Sequence, residues 1–424
     1  MNIVITRGCT GGSVDAIPAK AAAHRAFIAA ALSGRQVDIR LGDAEVSQDI
    51  AATLRCLEQL GARIVSRGDG VWRSSPAPLP PEPLLDCGES GSTLRFLLPV
   101  AAALGVDVCF TGAGRLPERP LSDLIRAMKA HGIYFSDDKL PFKIHGKLSG
   151  GRFELPGNVS SQYISGLLFA IYASGGSGEI ALTTRLESSR YVDMTVAALR
   201  TFGAEIGRTA DGWRITGRSD RTVPEHIAVE GDWSNAAAFL VCGALSRPVT
   251  VGGLDTNSLQ PDRAIVDILR GFGAEVTIED GQVTAAPGAL RAASVDVAET
   301  PDLLPVLAIM AAGVPGTSRL VNAARLRLKE SDRLHSTAQL LSTLGAKVTE
   351  LADALEITGG FPLRGGTADS CNDHRIVMAA AAAATLGALP LTINGADAIS
   401  KSQPGFFSDY AKIGGQFHTV QTCF

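Results

Sequence analysis

A short charged segment near residue 330 has the residue types needed for proton transfer and for binding an anion. Residues 325–334 contain four cationic side chains and two carboxylates, and the centre reads Lys329-Glu330-Ser331-Asp332-Arg333. The segment lies between an apolar run at residues 306–314 and a helix-like segment at residues 334–344. Charges at such a junction need partners or a charged ligand. A solvated, salt-bridged helix face is the alternative interpretation.

Isolated cationic residues recur elsewhere, beside Gly, Ser or Asn near predicted helix starts. With Arg333 they form one set: Lys20, Arg25, Arg95, Arg119, Arg333, Arg375 and Lys401. The net charge of the chain is −4, so the set indicates local concentration of positive charge rather than overall basicity. A small, multiply anionic substrate would account for it.

Several polar segments precede these predicted helices. Residues 88–93 (Gly-Glu-Ser-Gly-Ser-Thr) could seat a phosphate or a carboxylate on backbone amides, and the hydroxyls and amide of Ser160-Ser161-Gln162 suit a phosphate. Asp302 after Pro301 and Asn372-Asp373-His374-Arg375 also stand at predicted helix starts. The first is neither a Walker A loop nor a dinucleotide fingerprint. Simple helix capping explains each segment equally well when it is taken alone.

The chain has 424 residues, of which 46% are hydrophobic and 19% are charged. This length and composition predict a globular protein of two domains. Seven scattered cysteines without a Cys-x-x-Cys pair favour a reduced, cytoplasmic compartment. The N-terminus has no signal-peptide pattern, and the alanine-rich run at residues 376–386 is too short to span a bilayer. We expect no metal site, because the histidines are not clustered, and no nucleic-acid partner, because the chain is mildly acidic.

A helix, a glycine and a short β-rich run recur six times along the chain. The glycines are Gly61, Gly132, Gly203, Gly273, Gly345 and Gly414, and successive spacings are 71, 71, 70, 72 and 69 residues. Glycine suits the left-handed conformation that commonly ends a helix. Six matches at nearly constant spacing indicate internal repetition, with a unit long enough for two helices and several strands. Six such units predict an α/β fold with three repeats in each of two domains.

The domain boundaries are predicted at two crossings of the chain. One lies near residues 229–232, where Asp232 or Ser234 could cap a helix opening at Asn235. The other lies near Pro18, where the N-terminal strand gives way to an alanine-rich helix. We therefore expect residues 1–18 and 230–424 to form one domain and residues 19–229 to form an inserted domain, with Lys20 on a hinge made by the two crossings.

The chain resembles the 5-enolpyruvylshikimate-3-phosphate (EPSP) synthase family over almost its whole length. The motifs that carry the resemblance are Pro18-x-Lys20-x4-Arg25, Gly91-x3-Arg95, Glu118-Arg119-Pro120, Ser160-Ser161-Gln162, Lys329-Glu330-x-Asp332-Arg333, Asn372-Asp373-His374-Arg375 and Lys401. The resemblance implies two inside-out α/β domains, each of three β-α-β-α-β-β repeats, joined by a two-crossing hinge. It also implies transfer of the carboxyvinyl group of phosphoenolpyruvate (PEP) to the 5-hydroxyl of shikimate 3-phosphate, with release of phosphate, in aromatic amino-acid biosynthesis.

The resemblance also implies roles for particular residues. The expected catalytic residues are Asp302 as base, with Glu330 and Lys20 in proton transfers. The expected PEP ligands are Lys20, Gly91, Arg119, Gln162, Arg333, Arg375 and Lys401. The expected shikimate 3-phosphate ligands are Lys20, Arg25, Ser160, Ser161, Gln162, Ser188, Asp302, Arg325 and Lys329. The two substrates are the expected partners. We expect a monomer without a cofactor, a metal or a membrane partner.

Three positions depart from the commonest family pattern: Ala21 stands where Ser is usual, Glu89 where Asn is frequent and Arg325 where Asn is common. Ala21 removes a hydroxyl that would contact the shikimate portion, for which backbone amides or Arg325 could compensate. The first rival is the related transferase that acts on an amino-sugar nucleotide. Its reactive Cys has no counterpart in residues 114–120. The second rival is a six-repeat scaffold that binds without catalysis.

Overall fold

The computed structural model describes residues 1–219, 223–387 and 389–420. The chain divides into two compact units. The split unit comprises Met1–Ile17 and Glu230–Phe424, and the inserted unit comprises Pro18–Val229. Cys423, one of the seven cysteines, lies outside the described residues. No helix within the three described ranges is long and apolar enough to cross a membrane.

The inserted unit contains six helices and three four-stranded sheets among its described residues. The helices are α1 (Lys20–Leu32), α2 (Gln48–Gln59), α3 (Gly91–Leu104), α4 (Ser122–Lys129), α5 (Ser161–Ala173) and α6 (Ser189–Thr201). The strands are β3 (Val37–Arg40), β4 (Ala62–Gly68), β5 (Val71–Pro76), β6 (Leu84–Asp86), β7 (Val108–Thr111), β8 (Tyr134–Phe135), β9 (Phe142–His145), β10 (Arg152–Leu155), β11 (Gly178–Leu182), β12 (Ala204–Arg208), β13 (Gly212–Arg218) and β14 (His226–Ala228). The sheet orders are β14-β3-β5-β4, β6-β7-β9-β8 and β10-β11-β13-β12.

The described part of the split unit has the same composition of elements. Its helices are α7 (Trp233–Leu245), α8 (Ile265–Gly271), α9 (Leu304–Gly313), α10 (Arg333–Thr343), α11 (His374–Ala383) and α12 (Phe406–Lys412). Its strands are β1 (Asn2–Arg7), β2 (Gly12–Asp15), β15 (Val249–Gly252), β16 (Glu275–Glu279), β17 (Gln282–Ala286), β18 (Ser294–Asp296), β19 (Gly316–Val321), β20 (Lys347–Glu350), β21 (Leu355–Gly359), β22 (Gly366–Asp369), β23 (Leu391–Asn394) and β24 (Gln416–Val420). The sheet orders are β2-β15-β17-β16, β18-β19-β21-β20 and β22-β23-β1-β24.

One connectivity recurs in these sheets, which confirms the fold class expected from the sequence. In each sheet one outer pair is parallel and the other two pairs are antiparallel, as in β6 with β7, β7 with β9 and β8 with β9. The intact units run β-α-β-α-β-β along the chain, for example from β18 to β21. The N-terminal strand β1 pairs with β23 and β24 and so completes the last sheet of the split unit.

The six repeat glycines all have positive φ, between 80° and 89°. Each follows a helix and reverses the chain into the next strand, because glycine takes the left-handed conformation without a Cβ penalty. This confirms the local structure on which the repeat was inferred.

Each unit has its own hydrophobic core, built on helices that are apolar on every side. In α11 all ten residues from His374 to Ala383 are buried, as expected for the alanine-rich run. Small residues allow such helices to approach closely. A Cβ on Gly166 of α5 would lie 2.2 Å from the Arg95 carbonyl oxygen of α3, so only glycine fits there. The polar starts of these interior helices carry the residues of interest.

Candidate active site

Arg333 is the centre of a buried ionic cluster in the split unit. It is the first residue of α10, whose N-terminus is capped by Asp332 through the His335 N–H at 3.0 Å. The Arg333 side chain is only 2% exposed. It donates to three carboxylates: Asp302 Oδ1 at 2.8 Å, Glu330 Oε2 at 2.7 Å and Asp373 Oδ2 at 2.7 Å. Burial lowers the pKa of Arg333, but Asp373, Glu330 and Asp302 outweigh it and raise that pKa above its usual value.

Asp302 lies in the short 3-10 helix Pro301–Leu303 that leads into α9. The simple capping interpretation of Asp302 does not hold, because α9 has no side-chain cap at its N-terminus. The carboxylate instead lies 2.8 Å from Arg333, 3.6 Å from Lys329 and 3.5 Å from Arg375. Burial raises the pKa of Asp302, but these three cations outweigh burial and hold the pKa well below its usual range. Asp302 is therefore ionised at neutral pH.

Asp373 completes this cluster and has two roles. It is fully buried, accepts from the Ser331 hydroxyl at 3.0 Å, and caps α11 by accepting from the Arg375 N–H at 2.9 Å. The sequence indicated the capping role, but not the ion pair with Arg333, which joins residues 40 apart. No local sequence pattern distinguishes a capping aspartate that also binds a distant arginine from one that only caps a helix.

Arg375 and Lys401 lie at the start of α11 and in the neighbouring 3-10 helix Ala396–Lys401. Arg375 donates to Asn235 and Ser234 of α7. Lys401 Nζ donates to the Asn372 carbonyl at 2.6 Å. That carbonyl belongs to a turn in which Cys371 and Asn372 both have positive φ, 51° and 54°. Two consecutive non-glycine residues in this region are strained, which is characteristic of functional turns.

Arg325 and Lys329 flank the same segment. Arg325 Nη2 donates to the Ala298 carbonyl at 2.9 Å, in the loop that precedes Asp302. Lys329 faces the Asp302 carboxylate. The structure thus brings Asp302, Lys329, Glu330, Arg333 and Arg375 together through direct contacts, and Arg325 contacts the adjacent loop.

In the inserted unit, Lys20 and Arg25 both lie on α1 but have different surroundings. Lys20 Nζ lies 2.8 Å from Asp49 of α2. Arg25 is buried and donates to Thr195 Oγ1 at 2.8 Å and to the carbonyls of Ala21 and Tyr191 at 2.7 and 2.8 Å. Burial lowers the pKa of Arg25 to about 10. The contacts to Thr195 and Tyr191 tie α1 to α6.

Asp49 and His24 are two residues near Lys20 that sequence reasoning did not single out. His24 Nδ1 is hydrogen bonded to Thr53 at 2.7 Å, and Thr53 is hydrogen bonded to Thr93 at 2.6 Å in the first turn of α3. Burial, with smaller contributions from Lys20 and Arg25, lowers the pKa of His24 to about 3. His24 is therefore a neutral imidazole that links α1 to the start of α3 through α2.

Arg95 connects the expected PEP ligands of the inserted unit. Its Nη1 donates to Gln162 Oε1 at 2.9 Å, and its Nη2 donates to the Pro120 carbonyl at 3.0 Å, beside Arg119. Gln162 Nε2 in turn donates to Ser92 Oγ at 2.9 Å. A Cβ on Gly91 would lie 2.7 Å from Arg95 Nη1 and 2.8 Å from Arg119 Nη1. Glycine is thus required for both guanidinium groups to approach the start of α3.

The three expected serine ligands lie at the N-termini of α5 and α6. Ser160 caps α5 by accepting from the Gln162 N–H at 3.3 Å, and Ser161 is the first residue of that helix. Ser188 precedes α6 and has a positive φ of 55°, which is uncommon for a residue other than glycine. Capping therefore explains Ser160 in this structure, while the conformation of Ser188 is the strained kind found at binding sites.

Solved structures of two other proteins share the repeated α/β fold of this chain. A solved enolpyruvyl transferase, NikO from Streptomyces tendae, shares this fold with a TM-score of 0.74 at 17% identity, covering 98% of both chains. A solved EPSP synthase from Acinetobacter baumannii has a TM-score of 0.80 at 24% identity, covering 99% of this chain and all of the other.

The sequence comparisons define the family more narrowly. Residues 7–410 match the model of the family described as EPSP synthase (3-phosphoshikimate 1-carboxyvinyltransferase). A 3-phosphoshikimate 1-carboxyvinyltransferase from Clostridium kluyveri is 42% identical over 411 residues, covering 96% of this chain and 95% of the relative. The chain therefore belongs to the EPSP synthase family, and the resemblance inferred from its motifs is confirmed.

Proposed function

We propose that the protein transfers the carboxyvinyl group of PEP to the 5-hydroxyl of shikimate 3-phosphate and releases phosphate. Membership of the EPSP synthase family supports this reaction and its place in the shikimate pathway of aromatic amino-acid biosynthesis. The observation that carries the proposal is the buried cluster in which Arg333 contacts Asp302, Glu330 and Asp373. It provides carboxylates for proton transfer among cations that offset substrate charge.

The reaction consists of an addition and an elimination. In the addition, the 5-hydroxyl oxygen bonds to C2 of PEP, its proton passes to a base, and C3 of PEP gains a proton from an acid. In the elimination, the bond between C2 and the phosphate oxygen breaks, C3 loses a proton and the double bond forms again. The protein must therefore supply a base, an acid and positive charge for the leaving phosphate.

Asp302 is the proposed base for the 5-hydroxyl proton. Its ionised state suits a proton acceptor, but the three neighbouring cations lower its pKa and so make it a weak base. Bound substrate anions beside Lys329, Arg333 and Arg375 would offset the cations that depress this pKa. The basicity of Asp302 therefore rises when both substrates are present.

Glu330 and Lys20 are the proposed groups for the proton transfers at C3. Glu330 Oε2 accepts from Arg333 Nη2 at 2.7 Å. Lys20 forms its ion pair with Asp49 at 2.8 Å, which holds the ammonium at the start of α1. Both are ionisable groups held by a charged partner, which is the usual way to orient a proton donor or acceptor.

Anion binding is assigned to the residues that the family resemblance implies. For PEP, the proposed ligands are Lys20, Gly91, Arg119, Gln162, Arg333, Arg375 and Lys401. For shikimate 3-phosphate, they are Lys20, Arg25, Ser160, Ser161, Gln162, Ser188, Asp302, Arg325 and Lys329. Arg25 already donates to Thr195, Ala21 and Tyr191 through three of its five N–H groups. We also propose a cytoplasmic monomer with no nucleic-acid or membrane partner.

The first test is phosphate release from PEP by the purified protein, with shikimate 3-phosphate or an amino-sugar nucleotide as acceptor. Release only with shikimate 3-phosphate is the expected result. Release only with the amino-sugar nucleotide would replace the proposed acceptor. Release with neither would contradict the proposal and favour a non-catalytic scaffold.

The second test is Glu330→Gln, which keeps the shape of the side chain and removes its ionisable carboxyl. We expect kcat to fall by at least about 100-fold, the range of a general acid or base, while KM for each substrate changes by less than about threefold. Glu350→Gln is the matched control, because Glu350 also accepts from an arginine, Arg327 at 2.7 Å, in the same unit. Equal losses of kcat and of substrate affinity in Glu330→Gln would contradict its proton-transfer role.

A further inference from the structure

We propose that Asn235 is a positioning residue that orients Arg375 for an anionic substrate group without cancelling the arginine charge. The inference rests on the proposed function, because it concerns a guanidinium assigned to PEP. The motifs of the sequence do not include Asn235, which was expected only to open a helix after Asp232. The helix begins two residues earlier, at Trp233, so Asn235 lies within its first turn.

Asn235 is held rigidly in the interior of the split unit. It is 1% exposed, and its backbone N–H donates to the capping carboxylate of Asp232 at 2.9 Å. Its side-chain Oδ1 accepts from Arg375 Nη1 at 2.9 Å, a contact that joins residues 140 apart. A buried amide fixed at its backbone can direct a guanidinium plane with little loss of side-chain entropy.

The contact between Asn235 and Arg375 is important because the guanidinium has few other close partners. Nη2 donates to the Ser234 hydroxyl and lies 3.5 Å from Asp302, at the limit of a hydrogen bond. Apart from these, Nη1 has a 3.9 Å contact to the Met378 sulfur. Nε is buried and has no hydrogen-bond partner among the described residues. The orientation of the guanidinium therefore depends on the first turn of α7.

The same amide also reaches the loop that carries Lys401. Asn235 Nδ2 donates to Ser402 Oγ at 3.1 Å, and Ser402 follows Lys401 directly in the chain. Lys401 is in turn anchored on the Asn372 carbonyl, three residues before Arg375. Asn235 thus connects two cations that are both assigned to PEP.

The proposal depends on the Asn235 side chain being uncharged. Arg333 in the same unit is held by three carboxylates, which offset its charge. Arg375 is held closely by an amide oxygen and a hydroxyl, and its contact to Asp302 is longer. A neutral acceptor orients a guanidinium and leaves its charge for an incoming phosphate or carboxylate. An aspartate in place of Asn235 would keep the shape but form a buried ion pair that competes with the ligand.

The test compares Asn235→Asp and Asn235→Ala with the wild type, by steady-state kinetics and thermal melting. We expect both variants to raise KM for PEP about tenfold or more, the effect of losing one hydrogen bond to a charged group or of offsetting that charge. KM for shikimate 3-phosphate should change by less than about twofold. Gln260→Glu is the matched control, since Gln260 is a buried amide that holds the same helix through the Trp233 N–H at 3.0 Å but does not contact Arg375.

The control should lower the melting temperature without changing the ratio of the two KM values. A wild-type ratio in Asn235→Asp and Asn235→Ala would overturn the positioning role, as would equal increases in both KM values. The PEP-induced rise in melting temperature distinguishes this result from failure of the proposed function. If the wild type releases no phosphate, the role stands when Asn235→Asp selectively loses the rise with PEP. It is overturned when the rise is unchanged or absent from the wild type.

Discussion

The two units share one repeat architecture, but the buried arginines among their candidate site residues have different partners. In the split unit Arg333 is surrounded by Asp302, Glu330 and Asp373. In the inserted unit Arg25 is held by a threonine hydroxyl and two carbonyls, and Arg95 donates to an amide and a carbonyl. Carboxylate partners orient an arginine and also offset its charge, whereas neutral partners only orient it.

This difference indicates different functions for cations held by carboxylates and for cations held by neutral groups. A cluster that contains carboxylates can accept and donate protons, which the addition and elimination require. Cations held by neutral groups retain more of their charge for anionic ligands. Each unit also contains an exception: Lys20 pairs with Asp49, and Arg375 is held mainly by neutral groups. The fold repeat therefore does not determine how a particular cation is held.

The largest expected effect tests the comparison directly, with the paired variants Arg333→Met and Arg95→Met. Removing Arg333 leaves the buried Asp373 carboxylate without its ion-pair partner, which should cost about 3–5 kcal/mol of unfolding free energy. Removing Arg95 takes a donor from the Gln162 Oε1, while the Pro120 carbonyl keeps the Tyr163 hydroxyl, and this loss should cost about 1–3 kcal/mol. Urea unfolding at neutral pH measures both values. Equal losses in the two variants would remove the proposed energetic difference between carboxylate and neutral partners.

The pH dependence of stability should show that the inserted unit contains a buried neutral histidine. The pKa of His24 is lowered from 6.5 to about 3 in the folded protein, so between these values the unfolded chain binds a proton that the folded chain does not. Stability from this group is therefore complete above about pH 6.5 and falls as the pH decreases toward 3. Between pH 7 and pH 5 the wild type should lose about 2 kcal/mol more than His24→Asn.

The same slope in His24→Asn and in the wild type would show that His24 is protonated in the folded protein, against the burial that lowers its pKa.

The smallest expected effect concerns the approach of two cations to Gly91. In Gly91→Ala the new Cβ would contact Arg95 Nη1 and Arg119 Nη1 at 2.7 and 2.8 Å, so both flexible guanidinium groups must move. We expect KM for PEP to rise about tenfold, which corresponds to about 1.4 kcal/mol, with a smaller change for shikimate 3-phosphate.

Gly271→Ala is the control for this substitution, because a Cβ at Gly271 would meet no atom within 4 Å. Its kinetic constants should match those of the wild type. An unchanged KM for PEP in Gly91→Ala would show that the positions of Arg95 and Arg119 do not limit PEP binding. That result would weaken the contrast between the two units.

Local features of the fold were predictable from sequence because they depend on neighbouring residues. Gly61 and its five counterparts end helices through their own backbone conformation, and the spacing of these glycines revealed the repeat. The capping role of Asp373 followed from its place before an apolar helix. The start of α7 was misplaced by two residues, because Asp232 caps a turn that begins with a buried Trp233.

The sequence by itself determined the six-repeat α/β fold, the family and the set of cations at helix starts, since each is written in spacing, local conformation or motif. Only the tertiary structure decided which acid or amide meets each cation. Arg333 reaches Asp302 across 31 residues, Lys20 reaches Asp49 across 29, and Arg375 reaches Asn235 across 140. These contacts depend on how whole helices pack. The charge of each partner then determines whether the positive charge of a cation is offset or remains available to an anionic ligand.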